Sequence, residues 1–201
     1  MSELERWEAR FAAPGYVFGT EPNAFLRSKA DLLKPGQKAL SIADGEGRNG
    51  VFLAERGLDV LAMDFSPTAL AKARALAKER GVVIRTEQAD LDTWRWPVEA
   101  FDAVVAIFFQ FCAPALRTRV FDNIKRALKP GGLLLMEGYR PEQLKYKTGG
   151  PSEVENLYTR ELLEKSFSDF SEVEIVEYDS EIHEGAGHGG MSALIDLVGR
   201  K

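Results

Sequence analysis

The sequence predicts a Rossmann-like α/β fold: a doubly wound, seven-stranded mixed sheet, mostly parallel, with an antiparallel C-terminal edge strand. Three observations predict it. Short continuous apolar runs alternate with helical patterns through residue 137, as expected of parallel strands covered on both faces. The first run, residues 38–43, leads into the glycine-rich turn Asp44-Gly45-Glu46-Gly47-Arg48-Asn49-Gly50. The last two runs, 172–178 and 191–198, are joined by HEGAGHGG with no helical pattern between them, which suits an antiparallel pair.

Each element has its own signal. After the glycine turn a helix runs through Glu55, and Gly57 is its candidate C-cap. Residues 59–63 form the second strand. Ser66 and Pro67 then open a helix as N-cap and first helical residue, and Gly81 stops it. Residues 82–88 read as the third strand and 101–109 as a strongly apolar fourth. A helix over 116–128 places Phe121, Ile124 and Leu128 on one face. It ends at the turn Lys129-Pro130-Gly131-Gly132, and a fifth strand covers 133–137. A further helix is expected near 159–166. No repeat or low-complexity linker interrupts the chain, so the expectation is a single domain over 1–201, with an N-terminal lid or extension over 1–36 and a Rossmann-like core over 37–201.

Composition narrows the function classes. The chain has 201 residues, 45% hydrophobic and 28% charged, with a net charge of −5. An acidic chain without a Lys/Arg run offers phosphate backbones little attraction, so no nucleic-acid partner is expected. The single cysteine, Cys112, allows no internal disulfide, and a buried inert thiol is its default role. The two histidines, His183 and His188, are spaced by five and lack a third ligand beside them, so no metal site is expected. The charged N-terminus and the short apolar runs predict a cytoplasmic chain with no membrane partner. It is expected to act as a monomer or weak homodimer on a small-molecule substrate.

In an open α/β sheet, ligands bind at the carboxyl ends of the strands. The glycine turn lies there, and its helix start favours an anion. Asp64, 19 residues after Gly45, ends the second strand, where a carboxylate can accept from both ribose hydroxyls of a nucleotide. The alternative is a cap for the following helix. Asp90, just past the third strand, can accept from an adenine amino group while Leu91 packs on the ring; the alternative is a surface-loop acid. Two ligand types fail on the residues. Gly45 and Gly50 have P-loop glycine spacing, but Val51 and Phe52 follow where lysine and a hydroxyl residue are needed. No tyrosine has a lysine four residues later, which removes short-chain dehydrogenase chemistry.

The motifs ALSIADGEGRNGVFLAERG, VLAMDFSPTALAKARA, EQADLDTW, FDAVVAIFFQF and LKPGGLLLMEGY resemble class I S-adenosylmethionine-dependent methyltransferases. The segment YVFGTEPNAFL and the Arg-Asn after the glycine turn are most similar to the small-molecule branch that includes tellurite-resistance and thiol methyltransferases. The resemblance implies S-adenosyl-L-methionine as cofactor. It places Gly45 and Gly47 at the methionine end, Asp64 at the ribose, and Asp90 and Leu91 at the adenine, and Asp44, Arg48, Asn49 and Phe65 are further candidate cofactor-binding residues. Ile107 and Phe108 fall at the fourth-strand end near the sulfonium, with Tyr16 in the N-terminal lid. Ser41 and Ala43 depart from the family pattern, which commonly has an acid and a glycine there. Asp44 is the candidate to restore the missing charge; the alternative is a carboxylate facing solvent.

The implied reaction is methyl transfer to a small acceptor, a thiol or chalcogen species. His188 and Tyr139 are the candidate catalytic residues, His188 as a base. The alternative for His188 is a structural or solvated loop histidine, and for Tyr16 and Phe18 an aromatic anchor. Rival functions are a catalytically silent S-adenosylmethionine-binding module or partner subunit, a macromolecule methyltransferase, and a nicotinamide dehydrogenase.

Overall fold

The computed structural model describes residues 2–185 and 187–201; Met1 and Ala186, the latter within HEGAGHGG, lie outside the described residues. The chain divides into two compact units, Met1–Trp94 with Glu184–Gly187, and Arg95–His183 with His188–Lys201.

The first unit carries strands β1 (Lys38–Ile42), β2 (Asp59–Asp64) and β3 (Arg85–Gln88) in the order β3-β2-β1. All pair in parallel: Lys38 lies opposite Asp59 and Ile42 opposite Met63, while Leu61 faces Arg85 and Asp64 faces Gln88. In β1 and β2 every residue after the first is buried. Parallel strands covered on both faces read as continuous rather than alternating apolar runs for this reason. Helix α1 (Glu3–Phe11) starts in a capping box of Ser2 and Glu5, and α2 (Ala24–Ser28) is capped by Asn23. Helix α3 (Arg48–Glu55) follows the glycine turn. Helix α4 (Pro67–Glu79) has Ser66 as N-cap, its hydroxyl accepting from Ala69 N at 3.0 Å, and Pro67 at the first position.

The second unit carries β4 (Phe101–Ile107), β5 (Leu128–Tyr139), β6 (Glu172–Glu184) and β7 (His188–Arg200), in the order β4-β5-β7-β6. β4 and β5 are parallel, and β7 runs antiparallel to β5, with Leu133 opposite Arg200 and Tyr139 opposite Leu194. Helices α5 (Pro114–Ala127), α6 (Gln143–Tyr146) and α7 (Arg160–Ser166) complete it, α7 capped by Thr159. The fold is the expected one: a Rossmann-like α/β architecture whose seven strands form a mixed sheet, mostly parallel, with an antiparallel C-terminal strand.

Element bounds differ from expectation where tertiary packing overrides local pattern. β3 begins at Arg85, because Val82 and Ile84 pack instead against the cluster of Val51, Leu76 and Ala77. β5 begins at Leu128: the pairing jumps from Phe101–Leu128 to Ala103–Leu133, so the Lys-Pro-Gly-Gly turn is a bulge inside the strand rather than a loop before it. β6 extends to Glu184 through a polar stretch that no hydrophobic criterion selects.

Candidate functional site

In the first unit, the carboxyl ends of β1 and β2 bring Asp44, Gly45 and Asp64 together. The chain leaves β1 through left-handed conformations at Ala43 (φ 47°), Gly45 (φ 59°) and Gly47 (φ 92°). A side chain at such an angle is strained, so Ala43 bears a cost that glycine at this position would not. Gly50 is required for space: a Cβ there would lie 2.5 Å from Asp44 Oδ2. At Gly47 a Cβ would lie 2.6 Å from the Cβ of Ala73, so glycine here also lets α4 approach closely.

Asp44 is buried, not solvent-facing. It accepts a hydrogen bond from the Ser41 hydroxyl, and its two oxygens accept from Gly50 N at 3.0 and 3.3 Å. Ser41 therefore supports the acid three residues on instead of replacing it. Burial pushes the Asp44 carboxyl up to about 7; the Asp64 carboxylate adds to this, while the Ser41 and Gly50 hydrogen bonds and the Arg48 charge oppose it. Asp64 is also buried and held in place by backbone: Oδ2 accepts from Gly45 N and Oδ1 from Ser66 N, both at 2.9 Å. Burial raises its pKa too, against those backbone hydrogen bonds.

The other predicted residues of this unit are placed as follows. Arg48 and Asn49 open α3 and are buried. Arg48 Nη2 donates to Glu184 Oε2 at 2.7 Å, and its Nη1 is buried without a hydrogen-bond partner among the described residues. Asn49 Oδ1 accepts from Asn23 N at 3.0 Å. Phe65 is half-buried, its carbonyl accepting from Gln88 Nε2 at 3.2 Å. Asp90 is exposed and accepts from Asp92 N at 2.8 Å, while Leu91 is buried. Tyr16 anchors its segment: its ring packs on the Val51, Leu76 and Ala77 cluster and its hydroxyl donates to Lys72 O at 3.4 Å.

Three carboxylates that sequence reasoning missed fasten the N-terminal segment. Glu46, buried between the two glycines, accepts from Val17 N at 2.7 Å and Lys72 Nζ at 2.8 Å; Lys72 Nζ also donates to the carbonyls of Ala13 and Gly15. Glu8 of α1 accepts from Ser66 Oγ, Thr68 N and Thr68 Oγ1 at the start of α4. Burial would raise the Glu8 pKa, but these hydrogen bonds outweigh it and hold the carboxyl below its usual range. Glu184 accepts from Asn23 Nδ2 as well as from Arg48. No local sequence signal marks these residues, since their partners are far away in the chain. Phe11 lies over the turn, 3.5 Å from where a Gly45 Cβ would be.

In the second unit, Phe108, Tyr139 and His188 form one aromatic group. Phe108 follows β4 in a left-handed conformation (φ 53°), and its N–H donates to Glu137 O at 2.9 Å. Its ring stacks on Tyr139 with centroids 4.7 Å apart, and His188 meets it edge-on at 4.6 Å. A bulky residue at positive φ is strained and persists only where the surroundings fix it. The Gln110 side chain bonds both N and O of Tyr139 and thereby continues the β5 ladder. Ile107 ends β4 opposite Glu137, whose carboxylate accepts from the Tyr178 hydroxyl at 3.1 Å. Burial, then Glu137 and Asp196, hold the Tyr178 pKa well above normal. Cys112 is buried, and His183 is exposed. Among the described residues there is no cluster of metal-ligating side chains, and no helix is long and apolar enough to cross a membrane.

The family described as a methyltransferase domain matches residues 39–132. The chain is 37% identical over 112 residues to a demethylmenaquinone methyltransferase of Thermus thermophilus, covering 55% of this chain and 50% of that protein. It is 31% identical over 140 residues to a glycine/sarcosine N-methyltransferase of Parasynechococcus marenigrum, covering 65% and 45%. The chain thus spans about half the length of the curated relatives it matches. Among solved structures, TehB from Haemophilus influenzae is similar with TM-score 0.73 at 18% identity, covering 98% of this chain and 66% of that one. A SAM-dependent methyltransferase from Methanosarcina mazei has TM-score 0.71 at 18% identity, covering 90% and 98%.

Proposed function

We propose that this chain, which belongs to the class I S-adenosylmethionine-dependent methyltransferases, transfers the cofactor's methyl group to a small-molecule acceptor, a thiol or chalcogen species. The observation that supports cofactor binding is the set of unused polar capacity at the glycine turn. Arg48 Nη1 is a buried donor with no partner among the described residues. A carboxylate offers about four lone-pair sites, and Asp64 accepts from the backbone of Gly45, Ser66 and Phe65, which leaves acceptor capacity for a ribose hydroxyl. Asp44 adds a buried acid able to face an ammonium group.

The cofactor supplies a methyl group activated by a sulfonium. The chain's own residues do the rest. Asp64 holds the ribose, Asp44 and Arg48 the amino-acid end, and Asp90 with Leu91 the adenine. In the second unit the rings of Phe108 and Tyr139 stack on one another, and aromatic faces attract a cationic centre by about 0.5–2 kcal/mol. Alignment of a nucleophile with the reacting methyl group is worth up to about 7–11 kcal/mol. A thiolate or reduced chalcogen is already nucleophilic and needs no strong base; in the second unit the His188 ring meets Phe108 and Tyr139 edge-on.

The relatives' names span a quinone-type, an amine and a protein acceptor, so the acceptor rests on the site alone. Calorimetric titration with S-adenosylmethionine, S-adenosylhomocysteine and, as control, NADH tests the cofactor. Binding of the first two and not the third is expected, followed by turnover in a screen of thiols and chalcogen oxyanions. Cofactor binding with no product from any acceptor would instead support the silent module.

A further inference from the structure

Arg48 and Glu184 form an ion pair with side chains only 8% and 10% exposed. Burying two charges is costly unless the geometry and further hydrogen bonds repay it. Here the carboxylate is fully committed. Glu184 Oε2 takes Arg48 Nη2 at 2.7 Å, while Oε1 accepts from Asn23 Nδ2 at 3.0 Å and Ala24 N at 3.3 Å. Asn23 is itself fixed: its N–H donates to Asn49 Oδ1 at 3.0 Å, and its Oδ1 accepts from Leu26 N at 3.0 Å. The network thus closes on the first two residues of α3, a helix whose N-cap, Gly47, has no side chain to cap it.

The guanidinium is left incomplete: Nη1 is buried, and among the described residues no acceptor reaches it. A rigidly held arginine with one edge occupied and a free N–H beside a helix start is prepared for a second carboxylate.

We infer that Glu184 is a positioning residue: it locks the Arg48 guanidinium so that Nη1 receives an α-amino-acid carboxylate at the start of α3. This rests on the cofactor reading above, where that carboxylate is the one on the methionine end. Glu184 touches no ligand; it acts through Arg48. Its position 136 residues after Arg48 makes the last residue of β6 a determinant of affinity for the amino-acid part of the cofactor.

The test compares two ligands by calorimetry. S-adenosylhomocysteine carries the amino-acid carboxylate, and 5′-methylthioadenosine keeps the adenosine thioether without it. Glu184→Gln keeps the shape and removes the charge. It should weaken S-adenosylhomocysteine about tenfold, or about 1.4 kcal/mol, and leave 5′-methylthioadenosine within about twofold. Arg48→Ala should bring the two ligands to similar affinity, and adding Glu184→Gln to it should cause no further loss. Retained 5′-methylthioadenosine binding shows that each variant is folded. Equal weakening of both ligands would mean a merely structural role, and unchanged S-adenosylhomocysteine affinity in Glu184→Gln would also overturn the assignment. A parent chain that binds neither ligand would refute the cofactor reading itself.

Discussion

Asp44→Asn tests the electrostatics of the site most directly. Burial pushes the Asp44 carboxyl from 3.8 to about 7 in the folded chain, a gap equivalent to about 4 kcal/mol. A raised folded pKa on an acid means the native state keeps a proton that the unfolded chain has lost. Between these two values the native state binds more protons, so stability falls as pH rises from about 4 to about 7 and levels off above. Asp64 is raised by burial as well and contributes with the same sign. It is present in both proteins, so the difference between them isolates Asp44. In the variant the amide oxygen can still accept from Gly50 N and the Ser41 hydroxyl, but its N–H₂ needs acceptors, which costs about 1–3 kcal/mol if none is found. With that cost the variant should be about 1–3 kcal/mol more stable than the parent near pH 8, and the sign should reverse near pH 4, where only the amide cost of about 1–3 kcal/mol remains. Urea unfolding at a series of pH values measures this. On the proposed role of Asp44 toward the ligand's ammonium, the same variant should bind S-adenosylhomocysteine more weakly above about pH 7, where the parent carboxyl is ionised. Parallel stability profiles for parent and variant would refute the buried-acid account.

Two further outcomes check the remaining roles. Asp64→Ala removes the acceptor of both Gly45 N and Ser66 N and of the ribose; at about 1.5–3 kcal/mol per hydrogen bond to a charged group, S-adenosylhomocysteine affinity should fall by at least about tenfold. Calorimetry at matched pH reads this, and unchanged affinity would contradict the ribose assignment. His188→Ala should retain most of the turnover with a thiol acceptor, because the ring's contact with Phe108 is edge-on packing; steady-state rates that vanish while cofactor binding persists would show that the reaction needs a base.

The sequence made the strand ends legible because each carries a local signature. Ser66-Pro67 had to be a helix start and Asp64 the end of a buried strand, and both hold; the expected turn over Asp44 to Gly50 is shorter, since α3 already begins at Arg48. What was not legible is what these residues do to one another. Ser41 read as a lost acid; in the fold its hydroxyl serves Asp44, and Gly50 leaves the space for that carboxylate. Glu8, Glu46 and Glu184 carry no signal of their own, since nothing nearby in the chain announces partners 26 to 161 residues away. Yet such long-range acids are what hold the N-terminal segment at the glycine turn. The same reasoning explains why the acceptor is harder to read than the cofactor. The proposed cofactor contacts fall at strand ends, where backbone geometry dictates residue type. The group around Phe108 is defined by a strained φ and ring packing between residues 108, 139 and 188, which only the folded chain brings together.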